Sequence, residues 1–165
     1  MKTLILNNQQ IQQKINRMAY EIYENNYDAQ KLVLAGIADR GYTLATKLKK
    51  ALNEICSIEI ELLEIFVNRE NPIEKKSTKE LNTTNLSNNI IIVVDDVLNS
   101  GKTLIYGVKH FLSIPIKKIS TVVLVDRSHK HFPIQADYVG VSLATTMQEH
   151  VSVEFYEGND SVFLV

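Results

Sequence analysis

The chain has 165 residues, 45% of them hydrophobic and 22% charged, which suits one compact domain with a single sizeable core. Its 18 basic and 19 acidic residues leave a net charge of -1, so no global basic excess marks it as a nucleic-acid binder. The lone cysteine, Cys56, excludes an intrachain disulfide and fits a reducing cytoplasm, and no apolar run approaches the roughly 20 residues that a membrane helix needs.

In chain order, MKTLILNNQQ carries too short an apolar run for a signal peptide. Asn7 and Asn8 are N-cap candidates for a helix beginning near Gln9. Ile11, Ile15, Met18, Ala19 and Ile22 follow at helical spacing, which predicts one buried face and an end around Asn25 and Asn26. Lys31 to Gly36 reads as a buried strand, and Arg40 to Thr43 as a turn. Leu44, Ala45, Leu48 and Leu52 mark a second amphipathic helix, with Lys47, Lys49 and Lys50 solvated. Cys56 reads as a small core residue rather than a catalytic thiol. Ser57 to Val67 alternates and is β-prone, so it reads as a second strand.

From Asn68 to Asn89 the chain turns polar and charged and reads as a mobile excursion, a length of irregular chain that is often functional. Ile90 to Val94 reads as a third buried strand. Leu104, Ile105, Val108, Phe111 and Leu112 give a third helix face, and Lys118 to Val125 a fourth strand. Asp137 to Val141, Val151 to Tyr156 and Ser161 to Val165 are strand-like. Strands alternating with helices predict an α/β fold with a parallel sheet covered on both faces, in a single domain spanning 1–165.

The chemistry concentrates in IIVVDDVLNSGKTL, Ile91 to Leu104. Ligands of parallel α/β sheets sit at the carboxyl ends of the strands, where this segment falls. Residues 100 to 103 predict a tight loop whose backbone N–H groups, with the positive end of the next helix, suit a phosphate monoester. Gly101 allows close backbone approach, and Ser100 and Thr103 add hydroxyl donors. Asp95 and Asp96 accept hydrogen bonds, and vicinal ribose hydroxyls are suitable partners. A Walker A loop needs glycine five residues before Gly101, and Asp96 stands there. The competing readings are a Mg²⁺ site made by the two aspartates alone and a solvated loop with incidental acids.

VVDDVLNSGKTL resembles the phosphoribosyl pyrophosphate signature of the type I phosphoribosyltransferases. LAGIADRGYTLATKL, Leu34 to Leu48, resembles that family's pyrophosphate-binding loop. VLVDRSHKHFPIQADYVG, Val123 to Gly140, and RMAYEIYENN in the first helix resemble the pyrimidine operon regulator subfamily, which combines mRNA attenuation with uracil phosphoribosyltransferase activity. The resemblance covers well over half of the chain. It implies the family's α/β fold: a central, mainly parallel sheet flanked by helices, with a small C-terminal hood.

It also implies a reaction in which uracil displaces pyrophosphate from C1 of the ribosyl donor to give UMP. Asp95 and Asp96 would hold the ribose hydroxyls and Mg²⁺. The loop Val97, Leu98, Asn99, Ser100, Gly101, Lys102 and Thr103 would hold the 5'-phosphate. Ala38, Asp39, Arg40 and Gly41 would cradle pyrophosphate. The excursion over 68–89 fits a lid, with Arg69, Lys75, Lys76 and Lys79 as its charged candidates; only Arg69 aligns with the subfamily there.

Purine-specific relatives place an aspartate at Asn99, where it can accept a proton. An amide cannot serve as that base, which leaves uracil favoured over hypoxanthine. The base pocket is expected around Val125 to Arg127 and Asp137 to Val139, including Arg127 and Val139, although Asp126 and Arg127 could simply pair with each other. His129 and His131 straddle Lys130 without a third metal ligand nearby and read as surface histidines.

RNA is the less supported partner. Gln135 stands for an expected arginine, Ser128 for a glycine and Tyr20 for a histidine, and phosphate contacts depend on Lys and Arg. Lys47, Lys49 and Lys50 and the pair Lys117 and Lys118 could compensate, or could be ordinary solvated surface. A homodimer or higher homo-oligomer is expected by the same resemblance.

Overall fold

The computed structural model describes residues 1–73 and 83–165. The chain order is β1 (Thr3–Leu6), α1 (Asn8–Asn25), β2 (Lys31–Ile37), α2 (Arg40–Ile55), β3 (Glu59–Ile65), α3 (Thr83–Leu86), β4 (Ile90–Leu98), α4 (Lys102–Lys109), β5 (Lys118–Asp126), β6 (Tyr138–Ser142), β7 (Val151–Glu154) and β8 (Ser161–Leu164). Five strands form one sheet in the order β3-β2-β4-β5-β6, every neighbouring pair parallel. The other three form an antiparallel sheet, β1-β8-β7.

The local sequence explains the helices. Asn7 caps α1 with a reciprocal box: its Oδ1 accepts from the Gln10 N–H, and the Gln10 side chain accepts from the Asn7 N–H, both at 2.9 Å. The five apolar residues of α1 are fully buried and pack with Leu44, Ala45, Leu48 and Leu52 of α2 on one face of the large sheet. Leu104 of α4, with Phe111 and Ile114 just beyond it, packs on the opposite face against Val33, Ala35, Ile91 and Val93. Two apolar layers therefore enclose the sheet, and β4 at its centre is buried along its whole length.

Four expectations need correction. The hood is not wholly C-terminal: β1, in a segment read only as too short for a signal peptide, pairs with β8 and completes the small sheet. Arg40 to Thr43 is not a turn but the first turn of α2. Gly41 suggests a turn from sequence, yet here it allows close packing, since a Cβ on it would lie 2.5 Å from the Val94 carbonyl oxygen. The third strand runs on to Leu98 because the ladder to β5 continues through Asp95 opposite Val123 and Leu98 opposite Asp126. Within the polar excursion the described residues hold a short helix, α3, with Leu86 buried; Lys75, Lys76 and Lys79 lie outside the described residues.

Candidate functional site

The last residues of β4 carry the chemistry into a cleft. Val94 and Val97 pack in the same core layer, whereas Val93 and Leu98 pack in the other. Strict alternation would put residues 94 and 97 on opposite faces, so the strand departs from it across the two acids. Asp95 and Asp96 both line one cleft as a result, at 2% and 4% exposure. The Asp95 Oδ1 accepts from the Asp96 N–H at 2.9 Å. Burial, then the charge of Asp96, pushes the Asp95 carboxyl well above the ordinary carboxylate range.

Two guanidinium groups face this pair from opposite partners. Arg40, in the first turn of α2, stands 4.0 Å from the Asp96 Oδ2, and Arg69, beyond β3, stands 4.0 Å from the Asp95 Oδ1. Both arginine side chains are more than half exposed, so these are loose, water-screened pairs. Their N–H donors remain available to a multiply charged anion.

The loop after β4 completes the cleft. Gly101 takes a left-handed conformation at φ 87° as the N-cap of α4. A Cβ there would meet the Ile134 side chain at 2.8 Å. The following segment holds the loop from outside: His131 and Phe132 donate backbone N–H groups to the Ser100 carbonyl at 2.8 and 3.0 Å. The Ser100 Oγ accepts from the Lys102 N–H. The start of α4 still presents N–H groups that have no partner within the helix, together with the positive end of its dipole.

The cleft brings together Arg40, Arg69, Asp95, Asp96 and the run Val97 to Thr103. Leu104 and Val151 also line it; from sequence Leu104 closes the motif as a helix-face residue, and Val151 reads only as part of a strand. Val151 belongs to β7, and only the packing of the hood over β4 places it there.

Other expected residues stand apart from the cleft wall. Ala38 follows β2 and donates its N–H to the Ile65 carbonyl; its peptide bond to Asp39 is cis. Asp39 precedes α2, and Gly41 is buried against β4. The Val139 carbonyl accepts from the Arg17 guanidinium at 3.0 Å. Arg127 is buried and bonded to Asn99, Thr145, Thr146 and Glu149, and no ion pair joins it to Asp126. Asp126 instead accepts from the Ser128 N–H and faces Lys130 at 3.9 Å. The His129 ring bonds to Thr145, and no cluster of three or more metal-binding side chains occurs among the described residues.

No helix among the described residues is long and apolar enough to cross a membrane. The phosphoribosyl transferase domain family matches residues 2–157. The bifunctional protein PyrR of Streptococcus suis is 35% identical over 168 residues, covering 98% of this chain and 95% of that protein. Its counterpart from Haemophilus ducreyi is 30% identical over 177 residues, covering 100% and 97%. Among solved structures, the hypoxanthine phosphoribosyltransferase of Trypanosoma cruzi superposes with a TM-score of 0.76 at 18% identity, covering 90% of this chain and 84% of that one. A hypoxanthine-guanine phosphoribosyltransferase from Bacillus anthracis gives a TM-score of 0.73 at 20% identity, covering 86% and 83%. At such identities these structures speak for the fold, while the PyrR proteins match in sequence from end to end. With the acid pair, the glycine-turned loop and the two arginines converging on one cleft, the chain belongs to the phosphoribosyltransferase family and, within it, to the group of the bifunctional PyrR proteins.

Proposed function

We propose that this chain, working as one domain over residues 1–165, transfers a phosphoribosyl group from phosphoribosyl pyrophosphate to uracil, releasing UMP and pyrophosphate. The observation that carries the reading is the convergence of Asp95, Asp96, Arg40, Arg69 and the loop Ser100 to Thr103 on a single cleft.

The new bond joins a ring nitrogen of the base to C1 of the ribose as the bond from C1 to the pyrophosphate oxygen breaks, and the ring nitrogen gives up its proton to the departing pyrophosphate. Positive charge grows on the ribose and negative charge on the leaving group, so catalysis is chiefly positioning and electrostatics. Asp95 and Asp96 accept from the ribose hydroxyls and sit where positive charge develops. The loop and the start of α4 hold the 5'-phosphate. Arg40 and Arg69 take the pyrophosphate with their guanidinium donors.

The acid pair fits a magnesium ion. A buried carboxyl destabilised by a like-charged neighbour, with its guanidinium partner only at 4.0 Å, gains from a divalent cation. Asp95 and Asp96 would hold the ion together with donor oxygens, and it would supply neutralisation of the departing pyrophosphate.

Uracil is favoured over a purine because Asn99 offers an amide where a carboxylate base would be needed. A second activity, RNA binding as a UMP-sensing regulator of pyrimidine biosynthesis, draws support from the full-length match to proteins named bifunctional. A homo-oligomer belongs to the same proposal, and the exposed Tyr20 and Tyr27 supply apolar surface suited to an interface. The free Cys56 accords with a cytoplasmic setting.

The test is incubation with Mg²⁺, phosphoribosyl pyrophosphate and a panel of uracil, cytosine, hypoxanthine and guanine, followed by product analysis. UMP with one equivalent of pyrophosphate is expected. IMP as the main product would replace the pyrimidine assignment. Filter binding of a pyrimidine-operon leader RNA, with and without UMP, tests the second activity, with a UMP-enhanced and salt-sensitive affinity expected.

A further inference from the structure

Arg127 follows β5 and keeps only 7% of its surface exposed. A buried guanidinium must find acceptors, because its charge is costly without them. Its Nε donates to the Thr145 Oγ1 at 3.0 Å, and its terminal nitrogens donate to the Asn99 Oδ1 at 2.8 Å, to the Thr146 carbonyl at 3.3 Å and to the Glu149 carbonyl. The residue therefore ties the loop after β4 to the segment that leads into the hood.

The contact with Asn99 has a directional consequence. Arginine has donors and no acceptor, so the amide must turn its carbonyl oxygen toward Arg127. The Asn99 Nδ2 is left with no hydrogen-bond partner among the described residues. Asn99 is also exposed and lines the cleft. Its one acceptor atom is engaged by the protein, and what it has left to offer a ligand is an N–H donor.

We infer that Asn99 is a specificity-determining donor that selects a nucleobase bearing a carbonyl oxygen on the facing edge, and that Arg127 is the positioning residue that enforces this polarity. The inference rests on the phosphoribosyltransferase reading and assigns the contact by which a keto oxygen of the base is read. An aspartate at this position would present only acceptors when ionised and would have no donor for that carbonyl oxygen. Arg127 itself acts through Asn99, since its donors are directed to protein oxygens.

The experiment compares wild-type protein with Asn99→Ala, Asn99→Asp and Arg127→Lys. Each is assayed with Mg²⁺, phosphoribosyl pyrophosphate and, in turn, uracil, 2-thiouracil and 4-thiouracil. Sulfur is the weaker acceptor, so replacing the oxygen that Asn99 reads should lower wild-type kcat/KM roughly three- to tenfold. The other thio base should behave as uracil does. In Asn99→Ala that discrimination should vanish. Arg127→Lys keeps the charge but loses the planar fork, and should lose discrimination in the same way. Asn99 is exposed, so its variants remain informative even if Arg127→Lys folds poorly. Equal use of all three bases by the wild type, or unchanged discrimination in Asn99→Ala, would overturn the inference while leaving the transferase reading intact. Absence of nucleotide from every base in the wild type would overturn both.

Discussion

Along one side of the cleft, Asp95 to Leu98 are held by the β4–β5 ladder, and Ser100 is gripped by two backbone donors from the segment behind it. Across from them, Arg40 and Arg69 reach the same acids only through long, half-exposed side chains at 4.0 Å. The first side is built from buried backbone and short side chains, and the second from solvated charge. That contrast suits the two jobs of the proposed site. The ribose and its 5'-phosphate must stay still, so their side needs a fixed geometry. Pyrophosphate must arrive and leave, so loosely paired cations serve it better than a rigid cage.

The largest effect should come from attacking the fixed side. Asp95→Asn combined with Asp96→Asn should weaken binding of phosphoribosyl pyrophosphate with Mg²⁺ by about 100-fold or more in isothermal titration, because charge-assisted contacts are lost together. Circular dichroism should report an intact fold. Unchanged donor affinity in the folded double variant would erase the distinction between the two sides.

Arg40→Ala and Arg69→Ala sharpen it next. Each should lower turnover by roughly 10- to 100-fold while moving folding stability by no more than about 0.5 kcal/mol, since both side chains are exposed and weakly paired. Denaturant titration beside steady-state kinetics separates the two quantities.

Gly101→Val should be felt on the fixed side as strain. A β-branched residue at φ 87° that also collides with Ile134 should cost about 1–3 kcal/mol of stability and about tenfold in ribose 5-phosphate affinity. Thermal melts and ligand titration on the same sample check both.

The smallest effect concerns pH. Burial, then the charge of Asp96, raises the Asp95 carboxyl. Folding therefore disfavours its ionised form, and stability should fall as pH climbs from the ordinary carboxylate range through the raised value. Donor binding, which uses the carboxylate, should strengthen over the same interval. Asp95→Asn should flatten both slopes and raise Tm near neutral pH by about 2–4 °C, equivalent to about 1 kcal/mol of relieved repulsion. A Tm unchanged or lowered by that substitution would show that the acid pair is not under strain.

Much of this architecture was legible because single elements carry complete signals. Asn7 as a cap candidate, followed by Ile11, Ile15, Met18 and Ile22, specifies α1 within one segment. The buried run over β2 and the apolar start of β4 are equally local. What escaped depends on partners distant in sequence. β1 has no identity as a strand until β8 lies beside it. Gly41 looks like a turn residue until the Val94 carbonyl is seen 2.5 Å from where its Cβ would sit. The acids and the phosphate loop were evident as a motif, whereas Val151 enters the cleft only through hood packing. Arg127 was evident as a polar residue at a strand end. That its donors turn to protein oxygens follows from the hood segment from Thr145 to Glu149, whose path no local pattern dictates.

The most direct test of the sugar-phosphate site is a titration of isotope-labelled protein with ribose 5-phosphate, followed through backbone amide shifts. The account predicts saturable shifts centred on Asp95 to Thr103, with little change in the outer strands β3 and β6. Saturable shifts confined to any other surface, with Ser100 to Thr103 silent, would contradict it.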